Sequence, residues 1–238
     1  MRFDHVVIAV TDLESAGATF RDTLGFSLKP GRVHENGLKN VHIRFGDGSA
    51  IELIATGPGK PDELSEWYRR FLAEGGDGGA FVALRAGPPD SVLARLGALA
   101  ADAVVFESPA FDWVSFPEGH SLHAVFFVHV RVRPPDVPAQ LTHRNGAAGL
   151  AQVWIETPAP KELSEMLARF DSPSCGDVEG PGGLTGRGYG LSEGMLVASP
   201  VDPSRDGSRV TAVVLDAKRS LPPIQSAGVW LLWRDSLP

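Results

Sequence analysis

The stretch DHVVIAVTDLESAGATFRDTLGFSL (4–28), together with FGDGSAIELIA (45–55), decides the fold. Residues 3–10 are rich in β-branched side chains, which favours a strand. Asp12 is a candidate N-cap for a helix over residues 13–24, where apolar side chains recur at helical spacing. A strand followed directly by an amphipathic helix is therefore predicted at the head of the chain.

Three extended segments follow that helix. Gly25 is expected to end the helix, and residues 26–28 begin the first extended segment. Residues 40–45 alternate polar and apolar side chains, and the tight turn at 46–48 leads into a partner strand over 49–55. The predicted order is strand, helix and three strands, a βαβββ module.

The same order recurs twice along the chain. The second copy has a strand at 81–87, a helix at 89–99 and extended segments up to residue 130. The third copy has a strand at 150–158, a helix at 160–170 and extended segments at 189–199 and 209–217. An internal repeat of this kind predicts an α+β fold built from repeated βαβββ modules.

The repeats set the expected domain organisation. Modules over 1–57 and 78–132, joined by a helical linker at 58–77, form a paired unit within residues 1–135. Residues 143–238 hold a third βαβββ-like module and a C-terminal strand.

Two C-terminal segments and the cysteine carry separate predictions. Residues 172–188 are rich in glycine, which predicts a mobile surface loop. The apolar segment 228–235 predicts a last strand, which could pack against another subunit. Cys175 is the single cysteine, so an internal disulfide and a multi-cysteine zinc site are excluded, and we interpret it as a bystander thiol.

Composition excludes several classes of protein. The 238 residues carry 22 basic and 29 acidic side chains, and this net charge of −7 argues against a nucleic-acid partner. No apolar run is long enough to span a membrane. The N-terminal residues lack the features of a secretory leader, so a cytoplasmic protein is expected. The patterns of phosphate-binding loops and of nucleophilic serine elbows do not occur.

The head of the chain resembles the vicinal oxygen chelate superfamily, which includes glyoxalase I, extradiol dioxygenases and bleomycin-resistance proteins. The resemblance is to its glyoxalase-like branch. It rests on these landmarks: Asp4-His5, then His34, Gly37 and Asn40, then Gly46-Asp47-Gly48, Glu52-Leu53-Ile54, and His143-Arg144-Asn145-Gly146-Ala147. It implies curved mixed sheets around a cavity, a small organic ligand or substrate, and often a homodimer. It also implies a divalent metal ion (Zn, Ni, Mn or Fe) in a lyase, isomerase or dioxygenase.

The resemblance assigns the metal ligands His5 and Glu52, on the first and fourth strands of the first module. Glu52 could also exchange into the role of general base. Aligning the copies places Phe81 and Ala151 where His5 stands, and neither side chain can bind a metal. We expect His129 to complete the site, because it lies in the apolar strand that closes the second module.

Five more residues are candidates for substrate binding, each with a plainer alternative. His34 and Asn40 could line the cavity or could belong to a turn. His42 and Arg44 could anchor a carboxylate or could form a solvated strand face. His143 could contribute a cavity wall or a connection between modules.

Three functional hypotheses remain open on the sequence. The first is a metal-dependent enzyme, and the second is a metal-free protein that binds or sequesters a small molecule. The third is a structural module, which a cavity filled by side chains such as Phe126, Phe127 and Trp154 would favour.

Overall fold

The computed structural model describes residues 1–133, 135–180, 183–201, 207–219 and 221–234. The first module contains β1 (Arg2–Ala9), α1 (Leu13–Ala18), a π-helical turn (Thr19–Thr23), β2 (Lys29–Val33), β3 (Leu38–Arg44) and β4 (Ala50–Thr56). Helix α2 (Glu63–Gly75) leads to the second module, which contains β5 (Gly78–Arg85), α3 (Pro89–Leu96), a 3₁₀ turn (Gly97–Ala101), β6 (Val104–Glu107), β7 (Phe111–Ser115) and β8 (Val125–Val130).

The C-terminal half repeats this arrangement with fewer helices. A 3₁₀ turn (Pro138–Gln140) precedes β9 (Ala147–Thr157), α4 (Pro160–Ala168), β10 (Ser174–Glu179), β11 (Thr185–Gly190) and β12 (Met195–Pro200). The last strands are β13 (Arg209–Ala217), β14 (Ile224–Ser226) and β15 (Val229–Trp233). The predicted α+β fold of repeated modules in curved mixed sheets is confirmed.

Strand pairing makes the two halves alike. In the first half, β1 pairs in parallel with β4, β5 pairs in parallel with β8, and β1 and β5 are antiparallel neighbours. In the second half, β9 pairs with β12, β13 pairs with β15, and β9 and β13 are antiparallel. The sequence analysis grouped β13 with the third module, whereas in the structure β13 occupies the place in the second half that β5 has in the first.

The prediction of a mobile loop at 172–188 is wrong over most of that range. Strands β10 and β11 form an antiparallel pair at the edge of the sheet, and residues 181–182 lie outside the described part. Glycine-rich edge strands bury few side chains, so their sequence lacks the apolar alternation that marks a strand. The predicted C-terminal strand pairs with β13 and β14 of its own chain, and Trp233 is fully buried there.

The sheet of the first half has two differently covered faces. Helices α1 and α3 pack on one face, here called the helix face, where Val6 and Ile8 of β1 are buried. Helix α2 packs on the opposite, inner face, where Tyr68 and Leu72 are buried against Val7 and Ala9. The predicted linker helix therefore covers part of the expected cavity. Every helix in the described ranges is too short or too polar to cross a bilayer.

His143 joins the second half to the first module. Its Nδ1 accepts a hydrogen bond of 2.9 Å from the Ser27 backbone N–H, and its Nε2 lies 3.0 Å from the Arg44 carbonyl oxygen. These partners require the neutral ring with the proton on Nε2. The imidazole is 6% exposed and lies edge-on to Phe26 and Phe45. Burial lowers the pKa of His143 to about 4.

Strand β5 of the first half and β13 of the second half are antiparallel neighbours, and Gly79 pairs with Val210 where they meet. A Cβ added at Gly79 would lie 2.4 Å from the Val210 carbonyl oxygen. We therefore expect Gly79→Ala to lower the free energy of unfolding by about 1–3 kcal/mol, because β5 and β13 must move apart to make room for the methyl group. Chemical denaturation would measure this. Gly46→Ala is the control, since the nearest atom to its Cβ is 4.0 Å away. Equal stability of both variants would contradict close contact between the halves.

The buried His143 makes stability depend on pH. The unfolded imidazole takes up a proton below about pH 6.5, whereas the folded one does so only near pH 4, so stability is lost as pH falls through this window. Between pH 7 and pH 5 the loss is about 2 kcal/mol. We expect His143→Gln to remove that part of the pH dependence in denaturation experiments. The variant of the exposed His34, His34→Gln, should keep the wild-type dependence. Identical slopes for His143→Gln and wild type would refute this assignment.

Candidate functional site

A row of polar side chains crosses the inner face of the first module. Lys29 of β2 lies opposite His42 of β3, and His42 lies opposite Glu52 of β4. Directly opposed residues in antiparallel strands share a face of the sheet. His5 of β1 completes the row, with its Nε2 3.4 Å from the Glu52 carboxylate. The structure thus brings His5 and Glu52 together. The row across the strands runs from Lys29 through His42 and Glu52 to His5.

A β-bulge at Asp4 orients the His5 ring. The register of β1 against β5 shifts between Phe3 and His5, and a bulge of this kind lets consecutive side chains approach each other. Asp4 Oδ1 accepts a hydrogen bond of 2.9 Å from His5 Nδ1. Because Nδ1 is engaged in this way, Nε2 is the ring nitrogen that faces Glu52.

Two arginines neutralise the buried Asp4 carboxylate. Arg85 donates to Asp4 Oδ2 from Nε at 3.0 Å and also from Nη2, and Arg133 donates to the same oxygen from Nη2 at 2.8 Å. Asp4 is only 3% exposed, so these partners are needed to hold its charge inside the protein. Asp4 can therefore stay ionised beside His5.

Glu52 is held on its other side by an amide. Asn40 donates from Nδ2 to Glu52 Oε1, and its own Oδ1 accepts from the Arg32 backbone N–H at 2.8 Å. The side chains of His5 and Glu52 remain 18% and 12% exposed, so solvent reaches both. The pair is fixed in place and still accessible.

The environment shifts the pKa values of these groups in different directions. Burial acts against the charged forms of Asp4 and His5, but the contact between them outweighs it. The charges of His5 and Arg133 hold the pKa of Asp4 well below its usual range. Asp4 and Glu52 together raise the pKa of His5, whereas burial lowers the pKa of His42. The site therefore pairs a histidine that favours protonation with one that favours the neutral form.

The second module presents phenyl rings at the equivalent positions. Glu52 pairs with Val7 in the parallel β1–β4 ladder, and Phe126 pairs with Ala83 in the matching β5–β8 ladder. By the same offset, Phe81 takes the place of His5, as the alignment of the copies predicted. The Phe126 ring lies edge-on to His5 at 5.6 Å and to Phe81 at 6.1 Å, measured between centroids. The four positions meet, with two polar and two aromatic side chains.

Helix α2 extends the aromatic side of the site. The Trp67 ring lies 4.6 Å from that of Phe81 and 5.2 Å from that of His123. Tyr68 is buried, and burial together with the charge of Glu52 raises its pKa well above the usual value, so its hydroxyl stays protonated. The inner face is therefore filled by aromatic side chains at the α2 end and stays polar beyond Glu52.

The remaining predicted residues fall outside the His5–Glu52 contact. His129 lies two residues after Phe127 on β8 and has the same parity as that ring, which is buried on the helix face, so His129 faces away from Phe126 and His5. His34 is exposed in the turn that joins β2 to β3. His143 lies in the contact between the halves. Phe127 is buried on the helix face, so the filled part of the inner face involves Phe126 but not Phe127.

Arg44 lies farther along the inner face, beside the segment that leaves β8. Its Nε is 3.5 Å from Asp136 Oδ2, and Lys29 Nζ is 2.5 Å from Asp136 Oδ1. Arg133 and Arg44 both donate to the Gly48 carbonyl oxygen, at 3.0 and 3.3 Å. Arg133 and Asp136 thus fasten the described residues 131–133 and 135–137, here called the strap, over one end of the site.

The donors present do not fit the resident metal ion that the resemblance implies. Catalytic transition metals usually take three or more protein ligands. His5 Nε2 and Glu52 supply two, and the equivalent positions of the second module hold Phe81 and Phe126. Among the described residues, no group of three or more His, Cys, Asp or Glu side chains is arranged to hold a metal.

Two features of the site escaped the sequence analysis. The role of Asp4 is one of them: strict strand alternation predicts that Asp4 lies on the face opposite His5, and the bulge in β1 removes this alternation. The aromatic face of α2 had a visible signal, since Trp67, Tyr68, Phe71 and Leu72 recur at helical spacing.

Two surface cavities of about 620 and 380 Å³ are lined by residues outside this site.

Comparisons with solved structures show the same fold at low identity. A hypothetical protein from Staphylococcus aureus aligns with a TM-score of 0.65 and 13% identity over 98% of both chains. A mutant 4-hydroxymandelate synthase from Streptomyces coelicolor gives 0.61 and 17%, over 92% of this chain and 72% of that one. A xylose isomerase-like TIM barrel/4-hydroxyphenylpyruvate dioxygenase fusion protein gives 0.60 and 17%, over 92% and 36%.

No curated protein sequence matches the chain. The sequence model of one family, described as the glyoxalase-like domain, matches residues 3–170. This match covers both modules of the first half and continues through α4. The protein therefore belongs to the glyoxalase-like domain family.

Proposed function

We propose that this protein binds a small organic molecule on the inner face of the sheet, beside the partly exposed His5 and Glu52, without a resident metal ion. The observation that carries the proposal is the make-up of the four meeting positions. Two of them, His5 and Glu52, are polar, and the other two, Phe81 and Phe126, are phenyl rings. Sites for organic ligands combine apolar walls with a few placed polar groups in this way.

The arrangement favours a ligand with a flat apolar body and a polar group. Phe126 offers its ring next to the imidazole of His5, and aromatic side chains pack well against planar ligands. His5, Glu52 and His42 provide the hydrogen-bonding side. A ligand lying between the two sides would contact both.

His5 and Glu52 can also exchange a proton with such a ligand. Asp4 holds His5 Nδ1, so the ligand would meet Nε2, and the raised pKa of His5 favours its protonated, donating form. Glu52, 3.4 Å away, is a carboxylate that accepts hydrogen bonds. These are the groups needed for general acid–base chemistry. Turnover of the ligand would pass through this pair.

Small aromatic probes test the binding proposal. We expect benzoate, benzamide or benzyl alcohol at millimolar concentration, with EDTA present, to raise the melting temperature. At about ten times Kd the stabilisation is about 1.4 kcal/mol, which corresponds to about 3–6 °C. His5→Ala and Glu52→Gln should reduce the shift, and the exposed His34→Ala should not.

Two outcomes would contradict parts of this proposal. Unchanged probe binding in both His5→Ala and Glu52→Gln would place the ligand elsewhere. Stoichiometric uptake of Mn²⁺, Ni²⁺, Zn²⁺ or Fe²⁺ that is lost in His5→Ala would show that the site holds a metal after all.

The titration of His5 tests the electrostatics of the site. Glu52→Gln removes a negative charge beside Nε2 and should therefore lower the pKa of His5. Asp4→Asn should lower it further, because Asp4 supplies both a hydrogen bond and a charge. Imidazole resonances followed by NMR over pH would measure both shifts. An unchanged pKa in both variants would mean that the carboxylates do not act on His5.

A further inference from the structure

We propose that Lys29 and Arg44 form a carboxylate-binding subsite of this inner-face site, and that Asp136 of the strap occupies it until an anionic ligand displaces it. The inference rests on the proposed function and names the class of its ligand, a small organic acid.

The geometry at Asp136 is that of a bound carboxylate. One oxygen, Oδ1, lies 2.5 Å from Lys29 Nζ, and the other, Oδ2, lies 3.5 Å from Arg44 Nε. Each oxygen therefore faces its own cation, as in a carboxylate held at two points. The side chains of Lys29 and Arg44 are 21% and 9% exposed, so the cradle is set into the protein and does not project from it.

The cradle lies on the same face as the His5–Glu52 pair. Lys29 begins the row that continues through His42 to Glu52, and Arg44 follows His42 by two residues on the same strand. Strands lie about 4.8 Å apart, so Lys29 and Glu52 are separated by about 10 Å along the row. A ligand whose carboxylate replaced that of Asp136 would extend over His42 towards Glu52.

The charges explain why an anion would be needed for the exchange. Among the described residues, four lysine and arginine side chains (Lys29, Arg44, Arg85 and Arg133) meet here with three carboxylates (Asp4, Glu52 and Asp136). Withdrawing Asp136 would leave the largely buried Arg44 without its carboxylate partner, which is unfavourable. An organic carboxylate restores the pairing, whereas a neutral ligand of the same shape does not.

The strap is suited to moving aside. Asp136 lies in the irregular segment between β8 and the 3₁₀ turn at Pro138–Gln140, outside any strand ladder. Its displacement breaks two ion pairs and no β-sheet hydrogen bond. An intramolecular carboxylate of this kind competes with a free one for the same two cations.

The test compares benzoate with benzamide, two probes of the same shape that differ in charge. In Asp136→Asn the competing charge is gone, and we expect the affinity for benzoate to rise about tenfold, with that for benzamide nearly unchanged. Adding Lys29→Gln to Asp136→Asn should remove the gain. Isothermal titration calorimetry measures the affinities of both probes for the wild type and the two variants.

Two results would overturn the subsite. Equal changes for both probes in Asp136→Asn would mean that the strap had only opened, and no change for either would mean that Lys29 and Arg44 bind no carboxylate. If benzamide still binds and depends on His5, the proposed function stands while the subsite falls.

A measurement on the wild-type protein covers the case in which Asp136→Asn does not fold. Benzoate should speed hydrogen exchange at the amides of Asp136 and Val137, and benzamide should not. Equal exchange with both probes would likewise refute displacement of Asp136.

Discussion

The antiparallel pairing of β1 with β5 determines which side chains meet on the inner face. Each of these strands heads a module and carries its parallel partner, β4 or β8, beside it. Residues at matching positions of the two modules are therefore brought face to face. Two polar side chains from one module then oppose two phenyl rings from the other. Donors in all four positions could surround a metal ion, but this set separates a polar side from an apolar side and suits an organic ligand.

The sequence predicted the part of the site that depends on local order. The alternation along β1, β3 and β4 was enough to expect that His5 and Glu52 share a face, and the repeat was enough to place Phe81 opposite. Alternation also explains the failures. The bulge at Asp4 breaks it, and His129 has the parity of Phe127, not of Phe126. A parity error of one residue reverses a side chain completely, and a single sequence does not show where a strand begins or bulges.

Contacts between distant segments were the other part that the sequence could not supply. Helix α2 was recognised as a helix joining two modules, but where it packs depends on the sheet that both modules build. Its aromatic side chains fit the inner face because small residues such as Ala9 and Ala80 leave room there. In the same way, the ends of the strap find partners in Asp4 and Lys29, which lie more than a hundred residues earlier in the chain. Only the folded topology makes these neighbours.

The inner face is thus covered from two ends by different forces. At the α2 end, aromatic side chains exclude water, and this hydrophobic packing depends little on ionic strength. At the strap end, the cover is held by ion pairs of Arg133 and Asp136 whose side chains are partly exposed, and such pairs are weakened by salt and by competing anions. A charged solute can therefore loosen the strap but not α2. The route from solvent to His5 should open on the strap side, and the charge of the solute decides whether it opens.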